Sequence, residues 1–247
     1  MEQRWKTVAL GGAVGAAVSL LAVFVAIATG LVPVASDARL HDYMMAHPKL
    51  AYQMQALSDQ QDADAELTAS QNAVNKLGMR RFFDPAVAYV TGPAKAKNTF
   101  VEFFDYNCGH CRNTFPVVQA YYEKHKGDTR FAFIDFPIFG EESTNAARTA
   151  VAARLQGDKY VAFHFALMGE GKAAIDRDIL LQNAQKTGLD IPKLSADILQ
   201  PATDKTLLAA VRLAHEAKFR GTPVFIINGK VHEGEISEDD IAELTKG

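Results

Sequence analysis

Two aromatic and β-branched runs constrain this chain more than anything else in it. Asn98 to Asp105 reads Asn-Thr-Phe-Val-Glu-Phe-Phe-Asp, and Thr129 to Phe136 reads Thr-Arg-Phe-Ala-Phe-Ile-Asp-Phe. Each has the composition of a strand, and the second alternates clearly. The stretch between them, about Gly109 to Lys126, is helical in character. Strand, helix and strand make a βαβ unit, which predicts parallel strands and an α/β fold. With 48% hydrophobic and 22% charged residues over 247 positions, the chain can bury a sizeable core and is not disordered. A formal net charge of -3 argues against a nucleic-acid grip.

The amino end is of a different kind. Thr7 to Ser36 is an uncharged run of 30 residues, preceded by Arg4 and Lys6 and followed by Asp37 and Arg39. A cleavable signal has an apolar region of about 7–15 residues and a spanning helix needs about 20. Val14 to Val32 supplies that length, which favours a retained anchor over a long signal cut near Ala35 or Ser36. Either alternative exports the remainder, and the basic flank keeps the tip in the cytoplasm. Gly11 and Gly15 have a GxxxG spacing that lets spanning helices approach, but they lie near one end of the run.

Residues 37–83 read as a helical stalk rich in Ala, Gln, Asp, Leu and Met. Pro48 suits a first helical turn, so a short helix over Arg39 to Ala46 and a longer one from Pro48 are predicted. Leu50, Met54 and Leu57, then Ala63 and Leu67, then Val74 and Leu77 form a thin heptad seam that slips near Asp62. Self-association, an arm laid on its own domain and a frayed linker all fit so thin a stripe. A continuous helix of this length would reach about 65 Å.

The compact part begins after Phe82, Phe83, Asp84 and Pro85, where aromatic density rises. Residues 141–200 carry helical spacing (Ala147, Val151, Leu155; Tyr160, Phe163, His164, Leu167) broken by Gly157, Gly169, Gly171 and Gly188. A block this long should be a helical lobe of its own. A helix over Asp204 to Phe219 follows, then Val224 to Asn228 and Lys230 to Glu233 as a hairpin turned at Asn228-Gly229. A last helix spans Ser237 to Lys246, with Ser237 and Asp240 close to a capping box.

The only 2 cysteines are Cys108 and Cys111, which excludes a disulfide-stapled scaffold and a four-cysteine zinc module. Cys108-Gly109-His110-Cys111 closes a strand and opens a helix. A helix amino terminus stabilises a thiolate at Cys108, and a protonated His110 adds to the effect. Cys108 is therefore the expected exposed nucleophile, and Cys111, one turn in, the buried resolving thiol. This pattern fits thiol-disulfide exchange. The alternatives are a static disulfide, which closes too short a loop to stabilise much, and half of a zinc site. His125 and His164 are scattered single histidines and supply no obvious further ligands. No metal site or cofactor is expected on these residues, although paired thiolates would also suit Cu(I) in a copper-binding redox protein or holdase.

Glu102-Phe-Phe-Asp-Tyr-Asn-Cys108-Gly-His-Cys111, with Gly221-Thr222-Pro223-Val224-Phe225 and Asn228-Gly229 about a hundred residues later, resembles the DsbA-like branch of the thioredoxin superfamily. The resemblance covers 84–247, and the segment before it resembles the amino-terminal extension of ScsC-type proteins. It implies a thioredoxin-like fold with an inserted helical lobe at about 141–200, preceded by the stalk and a transmembrane helix within 1–36. By the same resemblance Cys108 attacks, Cys111 resolves, Pro223 is a cis-proline facing the disulfide, and Thr222 offers backbone to an extended client peptide. Glu102 matches the family's buried acid, which could assist proton movement at the resolving thiol; the alternative, an edge residue with its carboxylate in water, is disfavoured by the apolar neighbours on both sides. Pro116 would kink the active-site helix.

The implied function is thiol-disulfide exchange on cysteines of exported proteins, from the periplasmic face of the inner membrane or as a soluble periplasmic form after cleavage. Implied partners are cysteine-containing clients, a DsbB-like or DsbD-like membrane protein, the bilayer through residues 7–36, and further copies of the chain through 37–83. Oxidising members commonly carry Pro-His between the cysteines where this chain has Gly109-His110, and Thr222 is more typical of isomerase and reductant relatives. Oxidase and oligomeric isomerase or reductant therefore both stand. A passive domain on a coiled-coil adaptor is a further alternative.

Overall fold

The computed structural model describes residues 25, 37–171 and 175–246. The two runs singled out above become β2 (Asn98–Phe104) and β3 (Thr129–Asp135), joined by α3 (Gly109–His125). They pair in parallel, Phe100 opposite Phe131 and Phe104 opposite Asp135, as a helical crossover requires. β4 (Val224–Ile227) runs antiparallel to β2 on its other side, and β5 (Lys230–Glu233) follows it through a hairpin. Asn228 and Gly229 take φ of 50° and 83°, the two positive values a type I′ turn needs. A short strand, β1 (Tyr89–Thr91), completes the order β1-β3-β2-β4-β5. With only three residues, it is too short to show a period in the sequence.

Alternation along the strands sorts the core into two layers. Phe100, Phe104, Phe131, Phe133, Phe225 and Ile227 face one way, and Val101, Phe103, Ala132, Ile134, Val224 and Ile226 the other. The first layer packs on α3 and on the helical lobe: α4 (Glu141–Ala153), α5 (Lys159–Met168), α6 (Arg177–Lys186) and α7 (Ile191–Ile198). The lobe thus falls within the predicted bounds. The second layer is covered by α8 (Pro201–Glu216) and by residues 74–88. α8 starts earlier than Asp204 because Pro201 suits a first turn, and it stops at Glu216 because Lys218 turns to φ 68°. Phe219, past the helix, is buried against Phe103. The last helix, α9 (Glu238–Thr245), starts with a complete capping box from Ser237 and Asp240.

α1 (Asp37–Ala46) and α2 (Pro48–Leu77) lie where the sequence places them. Contacts divide the chain between Gln61 and Asp62, inside α2 and at the slip in its seam, rather than at 83/84. The reason is packing. Ser70, Val74, Phe82 and Phe83 are buried in the larger unit, and the Gln71 amide donates to Gly229 O (2.8 Å) and accepts from Val231 N (2.8 Å). The smaller unit leaves Tyr43, Met45, Tyr52, Met54 and Leu57 exposed. The uncharged run 7–36 lies outside the described residues apart from Val25, so the predicted anchor and the Gly11/Gly15 spacing do too. Among the described residues no helix is long and apolar enough to cross a membrane.

A buried ion pair ties the lobe to the sheet. Arg154, just past α4, pairs with Asp135 at the end of β3 and also donates to Val87 O (3.1 Å) and Phe133 O (3.3 Å). Burial pushes Asp135 up to about 6, with the Arg154 charge acting against that rise. An uncompensated buried charge costs far more than the pair contributes, so Arg154→Met should destabilise by about 3–5 kcal/mol. The double variant Arg154→Met/Asp135→Asn should recover much of that loss, and urea unfolding of the three forms measures both effects.

Candidate active site

β2 ends at Phe104, and the turn that follows places Cys108 as the residue capping α3. Asp105 organises this turn: its carboxylate accepts from Asn107 N (2.8 Å), Ile138 N (2.7 Å) and Phe139 N (3.1 Å), and its carbonyl accepts from Cys108 N (3.1 Å). Asn107 Oδ1 accepts from Ile175 N (2.7 Å), tying the same turn to the lobe. Cys108 therefore enters α3 in extended conformation, φ -77° and ψ 119°, at the helix's free amide end. Pro116 lies inside the helix as predicted.

From the opposite side comes the loop before β4. The Thr222–Pro223 peptide is cis, and the Cys108 thiol donates to Thr222 O at 3.2 Å. The expectation of an exposed Cys108 is corrected here: the residue is 1% exposed, because this loop lies over its sulfur. Cys111 is 0% exposed, as expected one turn into the helix. Both cysteines are free thiols.

The two thiols are driven in opposite directions. The Cys111 thiol, then the Thr222 side chain and the Cys111 and His110 amides, hold Cys108 down at about 5 against the effect of burial. The Thr222 hydroxyl is buried without another partner and is free to turn towards the sulfur. Burial first, then the bond to Cys108 and that sulfur's charge, push Cys111 far above the ordinary thiol range. At neutral pH Cys108 is thus ionised, which gives up its bond to Thr222 O, and Cys111 remains a thiol. His110 is exposed and its Nδ1 donates to Glu235 Oε1 (2.7 Å), to which Asn113 Nδ2 also donates (3.0 Å). That bond, with the Cys108 charge, raises the His110 imidazole. Gly109 has open space where a side chain would go and no positive φ, so neither packing nor backbone demands glycine between the cysteines.

Glu102 resolves in favour of burial. It shares the face of Phe100 and Phe104 in the middle of β2, is 1% exposed, and neither carboxylate oxygen has a partner among the described residues. Burial alone raises it to about 8, and its charge when ionised would raise Cys111 further. A carboxyl that is protonated at neutral pH, and whose charge would be felt at a buried thiol, can give up a proton and take it back.

The spacing of the motif pointed to Cys108, Gly109, His110 and Cys111, and the resemblance to Thr222, Pro223 and Glu102; the fold brings them together. Asp105, Asn107, Asn113 and Glu235 were missed, the last because 125 residues separate it from His110. The two histidines differ: His125 pairs with Asp128 (3.2 Å) at the end of α3, while His164 is buried and shares a hydrogen bond with the Tyr106 hydroxyl (3.0 Å).

A thiolate at a helix amino terminus, a buried second thiol and a cis-proline loop across them define a thiol-disulfide oxidoreductase. Residues 86–246 match the family model described as Thioredoxin, and the chain belongs to that family. A thioredoxin-like oxidoreductase from Silicibacter pomeroyi DSS-3 is 36% identical with a TM-score of 0.61, over 67% of this chain and 94% of the other. The thiol-disulfide exchange protein alpha-DsbA2 from Wolbachia pipientis, 22% identical with a TM-score of 0.65 over 73% and 96%, shares the fold. Among curated proteins, the Na(+)/H(+) antiporter NhaA of Herminiimonas arsenicoxydans is 26% identical over 147 residues, 60% of this chain. The chain spans only 23% of that relative's length.

Because the folded state lifts Glu102 above its unfolded value, its contribution to stability is intact below about 4.5 and is lost as pH rises through about 8. Glu102→Gln lacks that loss. Its stability relative to the parent should climb between those values and level off above them, by on the order of 5 kcal/mol. Urea unfolding at a series of pH values checks this; a constant difference between the two proteins would mean Glu102 does not titrate there.

Proposed function

We propose that this oxidoreductase donates disulfides to exported proteins, with Cys108 as the exchanging sulfur and Cys111 as its internal partner. The observation that carries the reading is the opposed setting of the two thiols: Cys108 is held as a thiolate at about 5 while Cys111 is kept protonated. Stabilising the reduced pair in this way weakens the disulfide and makes it a better oxidant.

In the forward reaction a client thiolate attacks the Cys108 sulfur of the Cys108–Cys111 disulfide. The sulfur-sulfur bond breaks, Cys111 leaves and takes up a proton, for which the buried, protonated Glu102 carboxyl is the source on this reading. A mixed disulfide joins the client to Cys108. A second client thiolate attacks the client's own sulfur and releases Cys108 as thiolate. The client loses two electrons and the Cys108–Cys111 pair gains them. Thr222, whose carbonyl already meets Cys108, supplies backbone to the extended client peptide.

We further propose a periplasmic setting, with residues 7–36 as an inner-membrane anchor, and reoxidation by a DsbB-like membrane partner; a soluble form cut near Ala35 would work alike. The uncharged run and its basic flank support this placement. Self-association through 37–83 is part of the same proposal, on the strength of the seam in the sequence. Thr222 before Pro223 favours a second reading, an isomerase or reductant recharged by a DsbD-like partner.

Cys111→Ser should accumulate mixed disulfides with clients on non-reducing gels, and Cys108→Ser should accumulate almost none. Equal trapping by both variants would contradict the roles. Equilibration of the pair with glutathione decides direction. A potential near about -120 mV fits the disulfide donor, and one near about -180 mV or lower fits the isomerase or reductant.

A further inference from the structure

Three consecutive residues after β5 each hold a different part of the active site. Gly234 N donates to Pro223 O (2.9 Å), on the cis-proline loop. Glu235 Oε1 accepts from His110 Nδ1 (2.7 Å) and Asn113 Nδ2 (3.0 Å), on the first turns of α3. Ile236 N donates to Thr114 Oγ1 (3.0 Å), which donates back to Ile236 O (2.9 Å). Thr114 and Ile236 are 2% and 4% exposed, so this reciprocal pair is shielded from water. His232 Nε2 adds a bond to the carbonyl of Glu235 (2.8 Å), and Gly234 makes the turn possible with φ 91°.

We propose that Glu235 is a positioning residue that keeps His110 charged beside Cys108, and that residues 234–236 brace the active-site helix against the cis-proline loop. The proposal rests on the reading of Cys108 as the exchanging thiolate. An exposed histidine with the ordinary value of about 6.5 carries its charge only about a quarter of the time at neutral pH, too little to hold a thiolate steadily. A carboxylate fixed from outside the helix changes that. Its bond to Nδ1 raises the imidazole, and the cation so formed and the Cys108 anion favour each other. The Glu235 carboxylate is held low in turn by His110 and Asn113, so the pair persists on the acid side of neutrality.

The carboxylate is also an anion near an anion, and this sets the sign test. The titratable groups on the elements around it are Cys108 and His110 at the start of α3, His232 on β5 and, beside His232, Asp240 on α9. With His110 in place, the cation stands in direct contact with Glu235 and the net effect stabilises the thiolate. Without His110, only repulsion is left, and removal of the Glu235 charge should then favour the thiolate instead. A merely structural brace would show neither the shift nor its reversal.

The experiment is an ultraviolet titration of the Cys108 thiolate in the reduced full chain, for the parent, Glu235→Gln, Glu235→Asp, His110→Ala and the double variant Glu235→Gln/His110→Ala. Glu235→Gln should raise the Cys108 midpoint by about half a pH unit and move the equilibrium with glutathione about threefold towards the protein disulfide. Glu235→Asp should restore part of the difference. In the His110→Ala background the same glutamine substitution should leave the midpoint unchanged or lower it. An unaltered midpoint in Glu235→Gln, or an equal rise in both backgrounds, would overturn the proposal. No client takes part in the titration, so a protein that shows the predicted shifts yet fails to oxidise clients would sink the disulfide-donor reading and leave this one standing.

Discussion

A thiol placed as the capping residue of α3 is the constraint on which the rest of the site depends. The free amides and positive end of a helix start favour an anion, and Cys108 stands at that position, although its sulfur makes no cap hydrogen bond to them. That arrangement works only if the helix begins where the sheet ends and something closes over the sulfur. β2 and the Asp105 turn fulfil the first condition, and the cis Thr222–Pro223 loop the second. Burial of Cys108 to 1% exposure would by itself disfavour a thiolate; the donors collected around it outweigh that penalty.

Two buried acids on neighbouring strands show how differently the fold treats the same chemical group. Asp135 is compensated by Arg154 and serves to join the lobe to the sheet. Among the described residues Glu102 has no compensating charge and no hydrogen-bond partner, and burial holds it largely in its neutral form. An ion pair would serve as a clasp at either place, but a lone neutral acid behind a buried thiol has value only if a proton has to move. The proposed exchange chemistry supplies such a use, since Cys111 would need a proton when the disulfide opens.

Much of the architecture was legible because it follows from local pattern. Parallel β2 and β3, the lobe at 141–200, the Asn228-Gly229 turn and the Ser237 cap all depend on residues close together in the chain, where period, composition and turn chemistry decide. The stalk was legible as helix but not in its packing. Its stripe is thin throughout, and what distinguishes Val74 from Leu57 is that the sheet face of Val101, Ile226 and Val231 has room for the first. β1, at three residues, carries no readable period and exists because β3 offers it an edge.

The site divides in the same way. The pairing of Cys108 with Cys111 and their position between strand and helix were determined by the sequence alone, because spacing and helix start lie within four adjacent residues. Resemblance, not pattern, supplied Pro223, Thr222 and Glu102. Only the tertiary structure decided that Cys108 is covered rather than open, that Glu102 is dry, and that Glu235 faces His110. Each of these depends on groups about 110 to 125 residues apart, or on what lies across a strand, and electrostatic setting is a property of those neighbours in space.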